Sequence, residues 1–347
     1  MRVLVTGGAG FIGSHVVDKC LEAGHYVAVI DDLSTGKMEN LREGIPFYRV
    51  DVADAGAVNE VFAHVKPATV IHMAAQISVS RSVKDPAADA RVNILGLLNV
   101  LEASVRHRVE SFVFASSGGV LYGDVYEPVP EGAPLSPVSP YGISKLAGEN
   151  YLRFFSGEHG IRCVALRYGN VYGPRQDPFG EAGVVAIFIH RLLSGCEPVI
   201  NGDGKYVRDY VFVDDVARAN LLALNGKNPG FRAYNIGTGK GTDVNELESG
   251  IRTALQEVLR RDGVQIDLPA PRHGAPRPGD LRSSILDSTR ARAELGWTAS
   301  VPLEEGLRRT VTWFVNHNKS QPGPERTFAE TALSRGRDGF SRWRRFE

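Results

Sequence analysis

The stretch "VLVTGGAGFIGSHVV", residues 3–17, leaves this chain few folds to choose from. An aliphatic run ends in a threonine, glycines stand at 7, 10 and 13, and an amphipathic pattern follows. Strand, glycine turn and helix in that order open a βαβ unit. The glycines let bare backbone turn sharply and approach a ligand, and the helix N-terminus offers free N–H groups to a diphosphate. Gly7, Gly10 and Gly13, with Phe11 and Ile12 on the first helical turn, are the first candidate cofactor-binding residues.

The same alternation continues to about residue 167. Candidate strands are "RVLVT" (2–6), "YVAVI" (26–30), "FYRV" (47–50), "TVIH" (69–72), "FVFA" (112–115) and "CVALRY" (163–168). They are nearly all apolar, as strands covered on both faces must be. Helical patterns at 11–23, 55–65, 88–106 and 141–158 lie between them. The expectation is an α/β chain with a Rossmann-type, doubly wound parallel sheet. Beyond 168 the regularity fades into Gly and Pro clusters, "GPRQDPFGEAG", "NGDGK" and "PAPRHGAPRPGD". Helices remain readable at about 183–194, 214–225, 244–261 and 303–317, as in a smaller, irregular α/β lobe. The expected division is 1–168, with segments returning from later in the chain, then 169–318, then a flexible tail at 319–347.

Composition narrows the function classes. The formal net charge is zero, so no basic footprint points to nucleic acid, and an anionic ligand must be met by local groups. Cys20, Cys163 and Cys196 are far apart, which is neither a disulfide framework nor a metal site. No apolar run approaches the ~20 residues of a membrane span. The N-terminus enters the first strand without a secretory pattern, so the cytoplasm is expected.

Asp31 closes "YVAVID" and Asp32 follows it. A carboxylate at the end of the second strand accepts both ribose hydroxyls of an adenosine and repels a 2′-phosphate, which selects NAD over NADP. Asp51 and Val52, in "VDVAD", suit the adenine edge, although Asp51 also fits a helix cap.

"SPYGISKLAGENYL" places Tyr141 and Lys145 four apart at a helix start, on one face. A free phenol titrates near 10, too high for a base at neutral pH. A neighbouring ammonium and a positive nicotinamide ring both favour the phenolate. Tyr141 is thus a candidate general base, with Lys145 tuning it and holding the nicotinamide ribose. In "SFVFASSGGVLYG" a buried strand ends in two hydroxyls and two glycines, where a doubly wound sheet binds its ligand. The reading favours Ser117 as catalytic and Ser116 as helper, with Gly118 and Gly119 keeping room for a sugar ring.

Together these residues resemble the extended short-chain dehydrogenase/reductase family, and within it the nucleotide-sugar 4-epimerases of the UDP-glucose (UDP-galactose) type. The motifs "TGGAGFIG", "DDLSTG", "IHMAAQ", "SSGGVLYG", "SPYGISK", "LRYGNVYGPRQ" and "VRDYVFVDDVA" occur in the family's order. The resemblance implies that Ala74, Ala75, Gln76 and Asn93 lie beside the cofactor. It implies that Asn170 and Val184 contact the substrate, that Arg208 and Arg277 clasp its diphosphate, and that Asp280 receives the uridine ribose. The implied reaction is NAD-dependent 4-epimerisation of a UDP-hexose through a transient 4-keto sugar, with NAD tightly bound and recycled. A homodimer built on helices 88–106 and 141–158 is implied as well.

The departures are specific. Where much of the family has its catalytic hydroxyl, four residues before the tyrosine of "LYG", this chain has Gly118, so the loop is read as one residue longer. Gly119 and Val120 stand where the related 4,6-dehydratases carry an Asp-Glu pair. Ser80 stands where uronate epimerases place an arginine, with Arg81 next to it. Ser284 aligns with a crowding tyrosine, and a serine leaves space for the N-acetyl group of UDP-GlcNAc or UDP-GalNAc. The alternatives are a UDP-glucuronate 4-epimerase or another nucleotide-sugar dehydrogenase/reductase, and a non-enzymatic dinucleotide sensor, which would be expected to lose Tyr141 or Lys145.

Overall fold

Alternation along each strand divides the core in two. Val3, Val5, Val27, Val29, Ile71 and Val113 pack on one face of a sheet, and Leu4, Ala28, Ile30, Val70, Phe112 and Phe114 on the other. A strand buried on both sides needs apolar residues at every position, which is what the sequence supplies. The computed structural model describes residues 1–180, 183–226, 229–277 and 279–320.

The strands among these residues are, in chain order, β1 (Arg2–Thr6), β2 (Tyr26–Asp31), β3 (Phe47–Arg49), β4 (Thr69–His72), β5 (Ser111–Ser117), β6 (Arg162–Tyr168) and β7 (Asn170–Tyr172). They continue as β8 (Val199–Asn201), β9 (Val207–Arg208), β10 (Tyr210–Phe212), β11 (Phe231–Ile236), β12 (Thr242–Asp243), β13 (Arg272–Gly274) and β14 (Ser283–Ser284). Seven of them form one parallel sheet in the order β11-β6-β5-β4-β1-β2-β3. From β1 the chain winds outward to β2 and β3, then crosses back to β4 and winds the other way. The crevice between the carboxyl ends of β1 and β4 is therefore the switch point where such sheets bind ligands. Helices Phe11–Glu22 and Val213–Asn225 cover one face, and Ala55–Val65, Leu97–Arg106 and Pro140–His159 the other.

A second core joins helices Val184–Leu193, Val244–Arg261 and Leu303–Ser320. Val244–Arg261 shows why such a helix forms. Asp243 accepts the Glu246 N–H at 2.8 Å while the Glu246 carboxylate accepts the Asp243 N–H at 3.2 Å, a reciprocal cap. Leu247, Ile251, Leu255, Val258 and Leu259 then bury one stripe, each contributing about 1.5–3 kcal/mol. Short pairs stitch this lobe: β7 with β10, β9 with β12 and β14, and β8 with β13. The chain returns to the large sheet at β11, beside β6.

The helix expected over 88–106 is broken. Helix Pro86–Ala90 passes into a π-turn at Arg91–Gly96 before Leu97–Arg106 begins. The wider turn aims Asn93 into the interior, where π-turns often serve a site. The expected tail falls mostly on 321–347, outside the described residues, and Leu303–Ser320 takes its first two positions. No helix among the described residues is long and apolar enough to cross a membrane.

Candidate active site

Gly7 has φ +67°, a left-handed conformation, and a Cβ there would meet the Ala74 backbone nitrogen at 2.6 Å. A Cβ on Gly13 would lie 2.0 Å from the Gly7 carbonyl oxygen. The loop thus fits only as bare backbone, pressed against the Met73–Ala74 backbone after β4. Gly10 precedes the helix with no side-chain cap, leaving the first-turn N–H groups open to an anion. Phe11 and Ile12 are half-buried on that turn. This cradle fits a dinucleotide diphosphate.

Asp31 ends β2 and is buried; its oxygens accept the Ala9 N–H at 3.0 Å and the Leu33 N–H at 2.9 Å. Burial raises its pKa above the ordinary carboxylate range against those two donors. Asp32 is exposed and accepts from the Ser34 N–H and hydroxyl, at 2.9 and 2.6 Å. Asp51 accepts the Ala53 N–H at 2.9 Å and pairs with Arg91 at 3.0 Å. The cap of the following helix is Asp54, so the cap alternative for Asp51 is set aside. The Val52 side chain packs inward under the π-turn; a Cβ on Gly96 would meet its Cγ2 at 2.7 Å.

The two serines point to opposite faces of β5, as strand geometry requires. The Ser117 hydroxyl acts on the Tyr141 phenol, working to lower its pKa. Ser116 does not, and its expected helper role is corrected. It is buried and donates to Glu149 Oε1 at 2.6 Å. Glu149 is also held by Arg167, with Nε–Oε1 at 2.9 Å and Nη2–Oε2 at 2.6 Å. Arg167 in turn donates to the Tyr122 hydroxyl at 2.6 Å, and Tyr122 to Asn235 Oδ1 at 2.8 Å. Gly118 is a packing glycine, since a Cβ there would meet Leu286 at 2.6 Å. Gly119 is the one that faces the site, 3.5 Å from Asn170 Oδ1 by the same measure.

Tyr141 and Lys145 share one face of the helix Pro140–His159, which Ser139 caps through the Gly142 N–H. Lys145 is buried, donates to the Ala115 carbonyl at 2.9 Å, and holds its Nζ 5.7 Å from the Tyr141 ring centroid. Desolvation lowers its pKa to about 8, against the pull of Asp89. Desolvation raises the Tyr141 phenol, Asp89 adds to that, and the Ser117 hydroxyl opposes both. His72 lies beneath, buried and hydrogen-bonded to Thr6 at 2.9 Å; desolvation and then Lys145 push it down to about 3, so its ring is neutral. Gln76 and Asn93 are tied by two bonds of 2.9 Å, Gln76 N–H to Asn93 Oδ1 and Asn93 Nδ2 to the Gln76 carbonyl.

Five of the seven predicted substrate residues line one cavity of about 230 Å³: Asn170, Val184, Arg208, Arg277 and Asp280. Tyr206 and Tyr210 also line it and were missed in the sequence. Arg208 donates to Asp280 at 2.5 Å. Ser117 lies nearer the sheet, beyond Asn170 and Gly119. Ser284 is buried on β14 beside Arg208 and is not part of the cavity wall. Asp89, Ser82 and Glu149 were also missed. Glu149 follows Lys145 by four, as Lys145 follows Tyr141, and that repeat was the available clue.

Residues 3–237 match the NAD dependent epimerase/dehydratase family, and they span the glycine cradle, Ser117, Tyr141 and Lys145. The chain belongs to this family. A UDP-glucose 4-epimerase of Mycolicibacterium smegmatis is 46% identical over 328 residues, covering 92% of this chain and all of that one. A crystal structure of UDP-glucose 4-epimerase with UDP-glucose, from Thermotoga maritima, superposes with a TM-score of 0.85 at 50% identity, over 91% of this chain and 99% of that one. A Thermus thermophilus UDP-glucose 4-epimerase in complex with NAD gives 0.83 and 48%, over 91% and 99%. The family's cofactor is NAD, which agrees with the bare cradle and with Asp31 at the end of β2.

Proposed function

We propose that the chain interconverts UDP-glucose and UDP-galactose by NAD-dependent 4-epimerisation, a step of galactose metabolism. The observation that carries this is the union of Ser117, Tyr141 and Lys145 at the carboxyl end of β5, beside the switch point, with a cavity whose wall includes Arg208 and Arg277. When bound, NAD supplies the hydride acceptor and then the donor. Tyr141, as phenolate, removes the proton of the sugar 4-hydroxyl and later returns it. Ser117 lies in the hydrogen-bond path between them, and Lys145 keeps the phenolate within reach of neutral pH. Arg208 and Arg277 hold the diphosphate, a task suited to guanidinium groups that bond two oxygens at once. Asn170 meets a sugar or phosphate oxygen, and Asp280 the ribose. A firm hold on the nucleotide with a loose hold on the sugar lets the 4-keto sugar present its other face.

The test is to incubate purified protein with UDP-glucose and no added NAD. UDP-galactose without accumulating NADH supports the reading; a stoichiometric rise in NADH absorbance identifies a dehydrogenase instead. Tyr141→Phe is expected to lower turnover by about 10²–10⁴-fold while NAD stays bound.

UDP-GlcNAc and UDP-GalNAc are a second substrate class, because Ser284 contributes no bulk to the cavity. A uronate is disfavoured, since Arg81 is exposed on helix Val79–Lys84. A homodimer is supported by the exposed Leu95, Ile143 and Phe154, at 54%, 55% and 58%, on the expected contact helices. Sedimentation of wild type and Phe154→Glu decides it, with a dimer for the first and a monomer for the second. The cytoplasm suits Cys20 and Cys163, buried thiols whose pKa desolvation pushes up to about 12.

A further inference from the structure

Asp89 is a carboxylate in a place where a charge is costly. It lies on helix Pro86–Ala90 and is 2% exposed. A buried charge needs partners, and cations are the usual ones. Here the partners are neutral amides: Gln76 Nε2 and Asn93 Nδ2 donate to Oδ1 at 2.9 and 3.0 Å. The same Asn93 nitrogen reaches Ser144 Oγ at 3.2 Å. Ser144 Oγ donates to the Tyr141 carbonyl at 2.9 Å, and the Tyr141 N–H donates to Ser82 Oγ at 3.1 Å. The turn that carries Tyr141 is thereby tied to the amide clamp that fixes Asp89.

Among the other charged groups nearby, Asp85 caps the helix of Asp89, accepting the Ala88 N–H at 2.9 Å, and is exposed. On helix Pro140–His159, Glu149 is neutralised by Arg167 at 2.6 Å. At the end of β4, His72 is uncharged. Arg81 and Lys84 of helix Val79–Lys84 are exposed, and Arg91 of the π-turn pairs with Asp51. Asp89 acts electrostatically on both Tyr141 and Lys145.

We propose that Asp89 is a positioning residue of the epimerase centre, a clamped carboxylate that balances the Lys145 ammonium and sets the field in which the Tyr141 phenol ionises. The proposal rests on the epimerase reading above. Its chemical sense lies in reversibility. Tyr141 must take a proton and give it back within one turnover. A cation beside a phenol favours release of the proton and a carboxylate favours its return, so a clamped Asp89 opposite Lys145 keeps both directions open.

Asp89→Asn keeps the Oδ1 acceptor for Gln76 and Asn93 and removes the charge. Both groups then lose the same influence, so both limbs of the pH profile of UDP-glucose epimerisation are expected to move toward acid, by about one pH unit. A purely structural carboxylate would lower the melting temperature and leave both limbs in place, which overturns the proposal. A turnover-free readout separates this from failure of the epimerase reading. The phenolate absorbance of NAD-loaded protein, taken as the difference from Tyr141→Phe, is expected to titrate at lower pH in Asp89→Asn. An unmoved midpoint overturns the proposal even where UDP-glucose is turned over; a moved one supports it even where no nucleotide sugar is. Asp89→Ser, smaller and also neutral, is expected to shift in the same sense and serves if Asp89→Asn does not fold.

Discussion

Ser116 and Ser117 are identical in chemistry and one peptide apart, yet the strand sends them to different tasks. Ser116 Oγ is one of the donors that satisfy the buried Glu149. Removing it leaves a buried acceptor short of a partner, a loss of about 1–3 kcal/mol. Ser116→Ala is therefore expected to melt earlier while the pH profile of turnover stays where it was. Ser117→Ala is expected to do the reverse. Its melting temperature holds and, on the proposed mechanism, kcat falls by about 100-fold, the low end of what a group in the proton path contributes. Thermal unfolding and steady-state kinetics on the pair check both. Lys145 adds a pH limit. In the proposed mechanism its ammonium is the active form, and its pKa is depressed to about 8. The charge is complete below that value and disappears above it, so kcat/KM is expected to fall on the alkaline side from near pH 8, well before an exposed lysine would titrate. Sequence alone could show that two hydroxyls end this strand. Which one meets Tyr141 depends on where β5 stops relative to helix Pro140–His159, a tertiary fact that the inserted glycine obscured.

Helix Pro140–His159 carries its chemistry on a single stripe, Tyr141, Lys145, Glu149, and each member reaches a different strand-end partner. Glu149 and Arg167 form a buried pair of two short bonds joining this helix to β6. Removing one partner from such a pair strands a charge, so Glu149→Leu or Arg167→Met is expected to cost about 3–5 kcal/mol. The double replacement is expected to cost less than the sum. Chemical denaturation of the four proteins, as a double-mutant cycle, measures the coupling. Elements like this one were legible because each rule pointed the same way: Ser139 and Pro140 start the helix, Gly160 ends it in the left-handed region, and the apolar strands on either side allow only a covered parallel sheet. The π-turn at Arg91–Gly96 was not legible. It differs from an α-helix by one residue in a turn, and the apolar run "VNILGLLNVL" satisfies either period. Asp51 and Asp54 show the same limit, since both stand before a helix and only the observed turn decides which carboxylate meets the free N–H.

Asp215 ties the large sheet to the second core. It sits on helix Val213–Asn225, against the large sheet, and its carboxylate accepts the Ser300 hydroxyl at 2.6 Å and the Ser300 and Val301 N–H groups at 2.9 Å each. Trp297, fully buried in the sheet's core, donates its indole N–H to the Asp215 carbonyl at 2.8 Å. Just beyond, Leu303 begins the helix that belongs to the second core. One residue thus fixes the joint at which the chain leaves the sheet for the second core. Burial works to raise the Asp215 pKa, but the hydroxyl, the Arg218 guanidinium and the two N–H groups outweigh it and hold the group below the ordinary carboxylate value. A folded-state pKa below the unfolded one stabilises the protein fully above about pH 4, and that stability drains away as pH falls through the folded value. Asp215→Asn should therefore unfold more easily near neutrality. Its stability should also change less than the wild type's between about pH 6 and pH 3, so that the two curves converge at the acid end. Melting temperatures across that range check the sign. Curves that stay parallel would mean that the joint is held by Trp297 and packing alone, with the carboxylate contributing no proton-linked stability.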